Sequence, residues 1–241
     1  MDTQQAPEDR DCATDPDGRE AEPRSSAVRR LLRDVLLLGA VCALVLALVN
    51  TFVAQPFGIP SGSMEGTLRV GDRVVVNKLA YRFGGRPQRG DVVVFDGRGS
   101  FVDDGGEEQG DGSGDDFVKR VIGVAGDTVV CCDPQGRLTV DGVPLDESGY
   151  LYPGDAPSTV RFSIKVPADR LFVLGDHRSD SRDSRDHLGD PGGGFVPVDK
   201  VTGRVDWVVF PVGRWRSLDR PQAFAELASE LRKDAGRGHQ G

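Results

Sequence analysis

At 241 residues, 38% hydrophobic and 28% charged, the chain has an ordinary globular composition, sufficient for one large domain or two small ones. Its formal net charge of -8 argues against a nucleic-acid partner, because phosphate binding needs clustered Lys and Arg. Cys12, Cys42, Cys131 and Cys132 form no disulfide framework and no zinc-type Cys-x-x-Cys spacing.

Residues 1–29 are polar and read as a disordered tail. Residues 35–49, VLLLGAVCALVLALV, carry no charge, and continuing through NTFVA gives about 20 residues, the length of a spanning helix. A transmembrane anchor is predicted over 30–54. A cleavable signal peptide is the alternative, since a basic stretch precedes the apolar core, but Phe52 stands where a small residue is expected. Arg24, Arg29, Arg30 and Arg33 precede the span, and the next basic residue is Arg69. The positive-inside rule therefore keeps the N-terminus cytoplasmic and exports everything from about Gln55.

The segment PFGIPSGSMEGTL, 56–68, sets Ser61 and Ser63 among glycines just beyond the span. It is compatible with a plain linker or with a nucleophile held close to a bilayer. The runs DRVVVNKLAYRF, GDVVVFDG, DFVKRVIGV, GDTVVCC, GRLTVDGVPL, STVRFSIKV, DRLFVLGD and GRVDWVVFPV follow, punctuated by glycine, proline and aspartate. Such spacing predicts a mostly β sandwich or barrel over 55–217, with a tight hairpin at the Asp-Gly pair of TVDGVPL. The acidic stretch 103–116 reads as a solvated loop and lacks EF-hand spacing. Cys131 and Cys132 are expected to be ordinary strand residues or free thiols, because disulfide geometry favours wider separations; the alternative for adjacent cysteines is a vicinal disulfide. In the tail, 218–241, Phe224, Leu227, Ala228 and Leu231 recur at helical spacing after Pro221. This short amphipathic helix either packs on the β domain or touches the membrane.

A serine hydroxyl needs a base within hydrogen-bond reach to become a nucleophile. Histidine is one choice: His177 and His187 lie in GDHRSDSRDSRDHLGD, where a triad with Asp176 or Asp183 can be drawn. Lysine is the other. In FVKRVIGVAGD, strand alternation puts Phe117, Lys119 and Val121 on one face and Val118, Arg120 and Ile122 on the other. Burial beside Phe and Val would lower the lysine pKa and allow it to take a serine proton. The alternative is that Lys119 reaches past the edge of its sheet and stays charged.

The segments IPSGSMEGTLRVGDRVVVNK, VKRVIGVAGD, LGDHRSDSRDSR, GFVP and VTGRV occur in this order after a single N-terminal apolar span. Together they resemble bacterial type I signal peptidase, the membrane-bound Ser-Lys leader peptidase family, from about the anchor to Pro211. The resemblance implies two packed antiparallel β-sheets with extended loops behind one N-terminal transmembrane helix. It implies Ser63 as nucleophile, Lys119 as general base, and Ser61 with the Ser63 backbone N–H as oxyanion donors. Ser181 matches a serine that hydrogen-bonds the lysine, Asp183 and Arg185 a bracing pair, Arg120 part of the same scaffold, and Met64 a neighbour of the substrate pocket. The implied reaction is removal of signal peptides after a small-X-small site, with no metal or organic cofactor. Exported preproteins, membrane lipid and the export channel are the implied partners. Two positions depart from the family pattern: Gly66 stands where proline is common, and His177 where asparagine is. Rival readings are a membrane-anchored serine hydrolase using a histidine, and a tethered β module whose serine segment is only a stalk.

Overall fold

The computed structural model describes residues 24–101 and 116–237. The expectations for 1–23 and for 103–115, and Cys12 with them, fall outside the described residues. The chain divides after Leu46. Helix α1, Arg24–Phe52, opens the described chain, and its stretch Val28–Phe52 is long and apolar enough to cross a membrane. The leucines and valines along it are exposed, a surface that needs an apolar surrounding. The helix ends at Phe52 rather than at residue 54, because Ala54 already pairs with Asn77 in a sheet.

From Ala47 onward the fold is mostly β, with two antiparallel sheets as the resemblance implies. The larger contains β1 (Ala54–Gly58), β2 (Arg73–Asn77), β3 (Val92–Asp96), β4 (Asp116–Val124), β9 (Arg170–Leu174), β10 (Val196–Pro197) and β11 (Val201–Phe210). Their order is β1-β2-β11-β3-β4-β9-β10, and β12 (Arg216–Ser217) adds to β11. The smaller sheet contains β5 (Thr128–Cys131), β6 (Leu138–Val140), β7 (Val143–Pro144) and β8 (Phe162–Lys165), in the order β7-β6-β5-β8. The predicted hairpin is present between β6 and β7. Asp141 and Gly142 both have positive φ, 48° and 82°, as a tight turn between twisted strands requires.

Valine-rich strands bury their side chains on both faces of the large sheet. One buried cluster joins Val93, Phe95, Val121, Leu171, Val173 and Val196. A second joins Met64 and Leu68 to Val74, Val76, Val92, Val94, Val205 and Val208. The third packs the sheets together, with Ile122, Phe172 and Leu174 from the large one against Val129, Leu138, Val140 and Phe162 from the small one. Helix α2, Gln222–Arg237, caps that cluster. Phe224 and Leu227 are buried in it, with Phe224 stacked on Tyr150 at 5.6 Å, so the amphipathic helix packs on the β unit.

Two local expectations are corrected. Strand β1 takes in Pro56, Phe57 and Gly58, the start of a segment also compatible with a plain linker; Pro56 is tolerated there because β1 is an edge strand. Cys131 and Cys132 are joined to each other as a disulfide rather than being free thiols. Strand β5 ends at Cys131, so the alternation that would send the two side chains to opposite faces stops between them.

Candidate active site

The segment between β1 and β2 folds as a series of turns pinned to the sheet. Glu65 N–H donates to Gly62 O at 2.8 Å and Leu68 N–H to Met64 O at 2.7 Å, while the Met64 and Leu68 side chains anchor the turn in the core. Gly66 carries φ +100°, a conformation proline cannot adopt, and a Cβ there would stand 2.7 Å from the Tyr150 carbonyl oxygen. The departure from the family pattern is thus a requirement of this turn rather than a loosening of it.

The turn sets Ser63, 8% exposed, against β4. Lys119 Nζ lies 2.8 Å from Ser63 Oγ, and the lysine is itself 4% exposed. Val93 stands across from Lys119 in the β3–β4 register. The Lys119 ammonium makes no hydrogen bond to a carboxylate among the described residues. Burial pushes its pKa down to about 8; Asp183 and Asp176 oppose that push and Arg185 adds to it. Ser61, on the exposed side, has its Oγ 3.3 Å from Ser63 Oγ.

The other wall is the loop after β9. Asp183 is fully buried and accepts two hydrogen bonds from the Arg185 guanidinium, both at 2.8 Å, one from the Arg185 backbone N–H at 3.2 Å and one from Gly175 N–H at 3.0 Å. Burial would raise the Asp183 pKa, but these donors outweigh it and hold the carboxyl below its ordinary range. Ser181 Oγ donates to Asp183 Oδ2 at 2.9 Å. The described hydrogen bonds of Ser181 therefore run to Asp183 and not to Lys119, which differs from the direct contact the resemblance implies. Gly175 lets the loop close on the nucleophile: a Cβ there would overlap the Ser181 side chain and the Ser63 carbonyl. The tight approach requires glycine.

Arg120 belongs to a second, adjoining group. It holds Asp176 with two hydrogen bonds, 2.8 and 2.6 Å, donates to Gly90 O at 2.8 Å and Thr67 Oγ1 at 3.0 Å, and lies over the Tyr150 ring. Thr67 Oγ1 in turn donates to Asp176 Oδ2 at 2.5 Å. This buried cluster ties the serine turn, β4 and the loop after β9 together. Sequence reasoning placed Arg120 in the scaffold but missed Thr67, and considered Asp176 only as a triad partner. Their separations of 53 and 56 residues from Arg120 leave no local signal.

The histidines are not paired with the Ser63 hydroxyl. His187 Nδ1 is 2.6 Å from Asp190 Oδ2, and its ring stacks on Phe101. His177 Nδ1 is 3.3 Å from Gly62 O, and its ring stacks on Tyr152. Neither hydrogen-bonds Ser63 Oγ among the described residues, and the carboxylates drawn for a triad are engaged by arginines instead.

The family model for signal peptidase, peptidase S26, matches residues 32–210. Signal peptidase I of Mycobacterium tuberculosis (strain CDC 1551 / Oshkosh) is 39% identical over 231 residues, covering 80% of this chain and 77% of that protein. Probable signal peptidase I of Mycobacterium leprae (strain TN) is 38% identical over 239 residues, covering 81% of each. Signal peptidase I of Leptolyngbya laminosa is 35% identical over 209 residues, covering 87% of this chain and 94% of that one.

Proposed function

The chain belongs to the signal peptidase family, peptidase S26, and from that premise we propose that it removes signal peptides from exported preproteins with a Ser63–Lys119 dyad. The observation that carries the dyad is the 2.8 Å contact between Lys119 Nζ and Ser63 Oγ in a buried setting that depresses the lysine pKa. A lysine titrating near 8 is partly neutral at physiological pH, and a neutral amine accepts the serine proton.

Ser63 Oγ attacks the carbonyl carbon of the scissile bond as its proton passes to Lys119. The carbonyl electron pair moves to the oxygen, where Ser63 N–H and Ser61 Oγ–H receive it; such donors are each worth about 10²–10³ in rate. Collapse of the intermediate breaks the C–N bond, and Lys119 returns the proton to the departing amine of the mature protein. The signal peptide then remains esterified to Ser63 until a water, deprotonated by Lys119, displaces it. Asp183, braced by Arg185, holds the loop that carries Ser181, while Arg120 and Asp176 fix the turn that carries Ser63. Met64, next in sequence to the nucleophile and anchored in the core with Leu68, is the neighbour of the substrate pocket.

The substrate adds as an extended strand and presents alternate side chains to one wall, as β-augmentation allows. Small pockets there select alanine at the two positions a signal-peptide site requires. Residues 1–29 form the cytoplasmic tail, the apolar span from residue 30 to Phe52 the membrane anchor, the β unit from Ala54 to residue 217 the extracytoplasmic catalytic domain, and 218–241 the tail with α2. The arginines before the span support that orientation, and the Cys131–Cys132 disulfide accords with an oxidising compartment. Membrane lipid, against the exposed apolar face of α1, is the further partner.

The test is cleavage of a precursor carrying an Ala-X-Ala site by the detergent-solubilised protein. Turnover after the second alanine, lost in Ser63→Ala and in Lys119→Ala, is the expected result. Turnover retained by Lys119→Ala would move the base elsewhere, and no turnover by a folded parent would return the tethered module.

A further inference from the structure

The dyad reading needs Ser63 N–H aimed at the substrate carbonyl, and a turn rich in glycine does not by itself aim anything. That N–H belongs to the peptide whose other end is Gly62 C=O. The peptide is planar and trans, since the cis bonds among the described residues lie at Cys131–Cys132 and Phe210–Pro211. Fixing Gly62 O therefore fixes the direction of Ser63 N–H.

Two donors reach Gly62 O. One is local, Glu65 N–H at 2.8 Å; the other is His177 Nδ1 at 3.3 Å, from a residue 115 positions away. The next carbonyl along, Ser63 O, accepts the His177 backbone N–H at 3.1 Å. A single residue thus holds the carbonyls on both sides of the nucleophile, one with its ring and one with its backbone. The ring is fixed in turn, stacked on Tyr152 with centroids 3.8 Å apart and planes 20° from parallel, with Glu65 Oε2 3.8 Å from Nδ1. Because Gly62 O can only accept, Nδ1 carries a proton; this holds for the neutral tautomer and for the imidazolium alike. A carbonyl that accepts hydrogen bonds also polarises the N–H of its own peptide, which strengthens the donor it aims.

We propose that His177 is a positioning residue for the oxyanion site: it clamps the Gly62–Ser63 peptide so that Ser63 N–H faces the reacting carbonyl, and it exchanges no proton in the reaction. The proposal rests on the dyad reading.

The test uses the full chain in detergent, the Ala-X-Ala precursor, and a peptide aldehyde ending in the same sequence. Ser63 Oγ adds to the aldehyde carbon to give a hemiacetal whose oxygen takes the oxyanion position, its electron pair coming from the C=O bond and its proton from Oγ. His177→Ala removes the donor; His177→Phe removes it while keeping the stack on Tyr152, and so carries the test if the alanine variant does not fold. Both are expected to lower kcat by about tenfold to a hundredfold, less than deleting an oxyanion donor outright. KM should stay within about twofold, and aldehyde affinity should fall in step with kcat. His177→Asn, whose amide can donate to Gly62 O, should recover most of both. Unchanged kcat and aldehyde affinity in His177→Phe, or His177→Asn as poor as His177→Phe, would overturn the clamp. If Ser63→Ala and Lys119→Ala are dead in that same experiment, the clamp alone falls. If Lys119→Ala is active and His177→Phe dead, the dyad reading falls with it.

Discussion

Lys119 and Arg120 are neighbours on β4 and both are buried, yet their surroundings differ in kind. Arg120 meets a carboxylate bidentately, and although burial opposes its charge, Asp176 raises its pKa further. Lys119 meets a serine hydroxyl, and burial prevails over more distant carboxylates to push its pKa down to about 8. Strand alternation separates the two. One cation is a permanent part of the scaffold; the other is able to lose its proton. Burial does not make a base; burial without a direct counter-charge does.

The sharpest way to break this contrast is to remove each cation while keeping volume. Lys119→Met should cut turnover by roughly 10²–10⁴ and leave the protein folded. Holding Lys119 charged in the fold costs on the order of 3 kcal/mol, from the fall of its pKa from 10.5 to about 8. The cost is fully present below about pH 8 and disappears as pH rises towards 10.5. Denaturant titrations should therefore find Lys119→Met no less stable than the parent at pH 7, with its relative advantage fading at alkaline pH. Arg120→Met should do the reverse: it strands Asp176 as an uncompensated buried charge and should cost about 3–5 kcal/mol of stability, seen as a lower unfolding midpoint. Comparable loss of stability in the two variants would erase the distinction.

A smaller effect is expected in the turn that delivers Ser63. Gly66→Pro imposes a φ near −65° where the backbone has +100°, and should cost about 1–3 kcal/mol and lower turnover through misplacement of Ser63. A thermal melt run beside the kinetics checks both. Smaller still is the electrostatic tuning of Lys119 by its neighbours. Asp183 raises the lysine pKa, so Asp183→Asn removes an anion that favours the ammonium, and the alkaline-rising limb of the pH–rate curve should move to lower pH. A limb that moves upward would contradict the sign.

The sequence was legible where local patterns carry the signal. The apolar span, the valine-rich strands β2 to β6, β8, β9 and β11, and the α2 helix follow from periodicity and turn residues. The strands β1, β10 and β12 did not: β10 and β12 are two residues each, and β1 carries proline at its centre without a valine run, so only their partners make them strands. For the candidate site, the order of motifs singled out Ser63 and Lys119, and the structure brings them into contact. The Arg120–Asp176–Thr67 cluster, the bond of Ser181 to Asp183 and the reach of His177 to Gly62 were not legible. Each depends on how a loop after β9 folds against a turn before β2. No pattern within either segment encodes that meeting. Gly66 is instructive in the same way: without the Tyr150 carbonyl beside it, the glycine looks like looseness rather than necessity.

The central claim is that Lys119 serves as a base because its burial lowers its pKa. The most direct measurement is kcat/KM against pH for the full chain with an Ala-X-Ala precursor. A single rising limb near pH 8 is the predicted result. A limb near 6.5, in the ordinary histidine range, or one near 10.4, where an unperturbed lysine titrates, would contradict it.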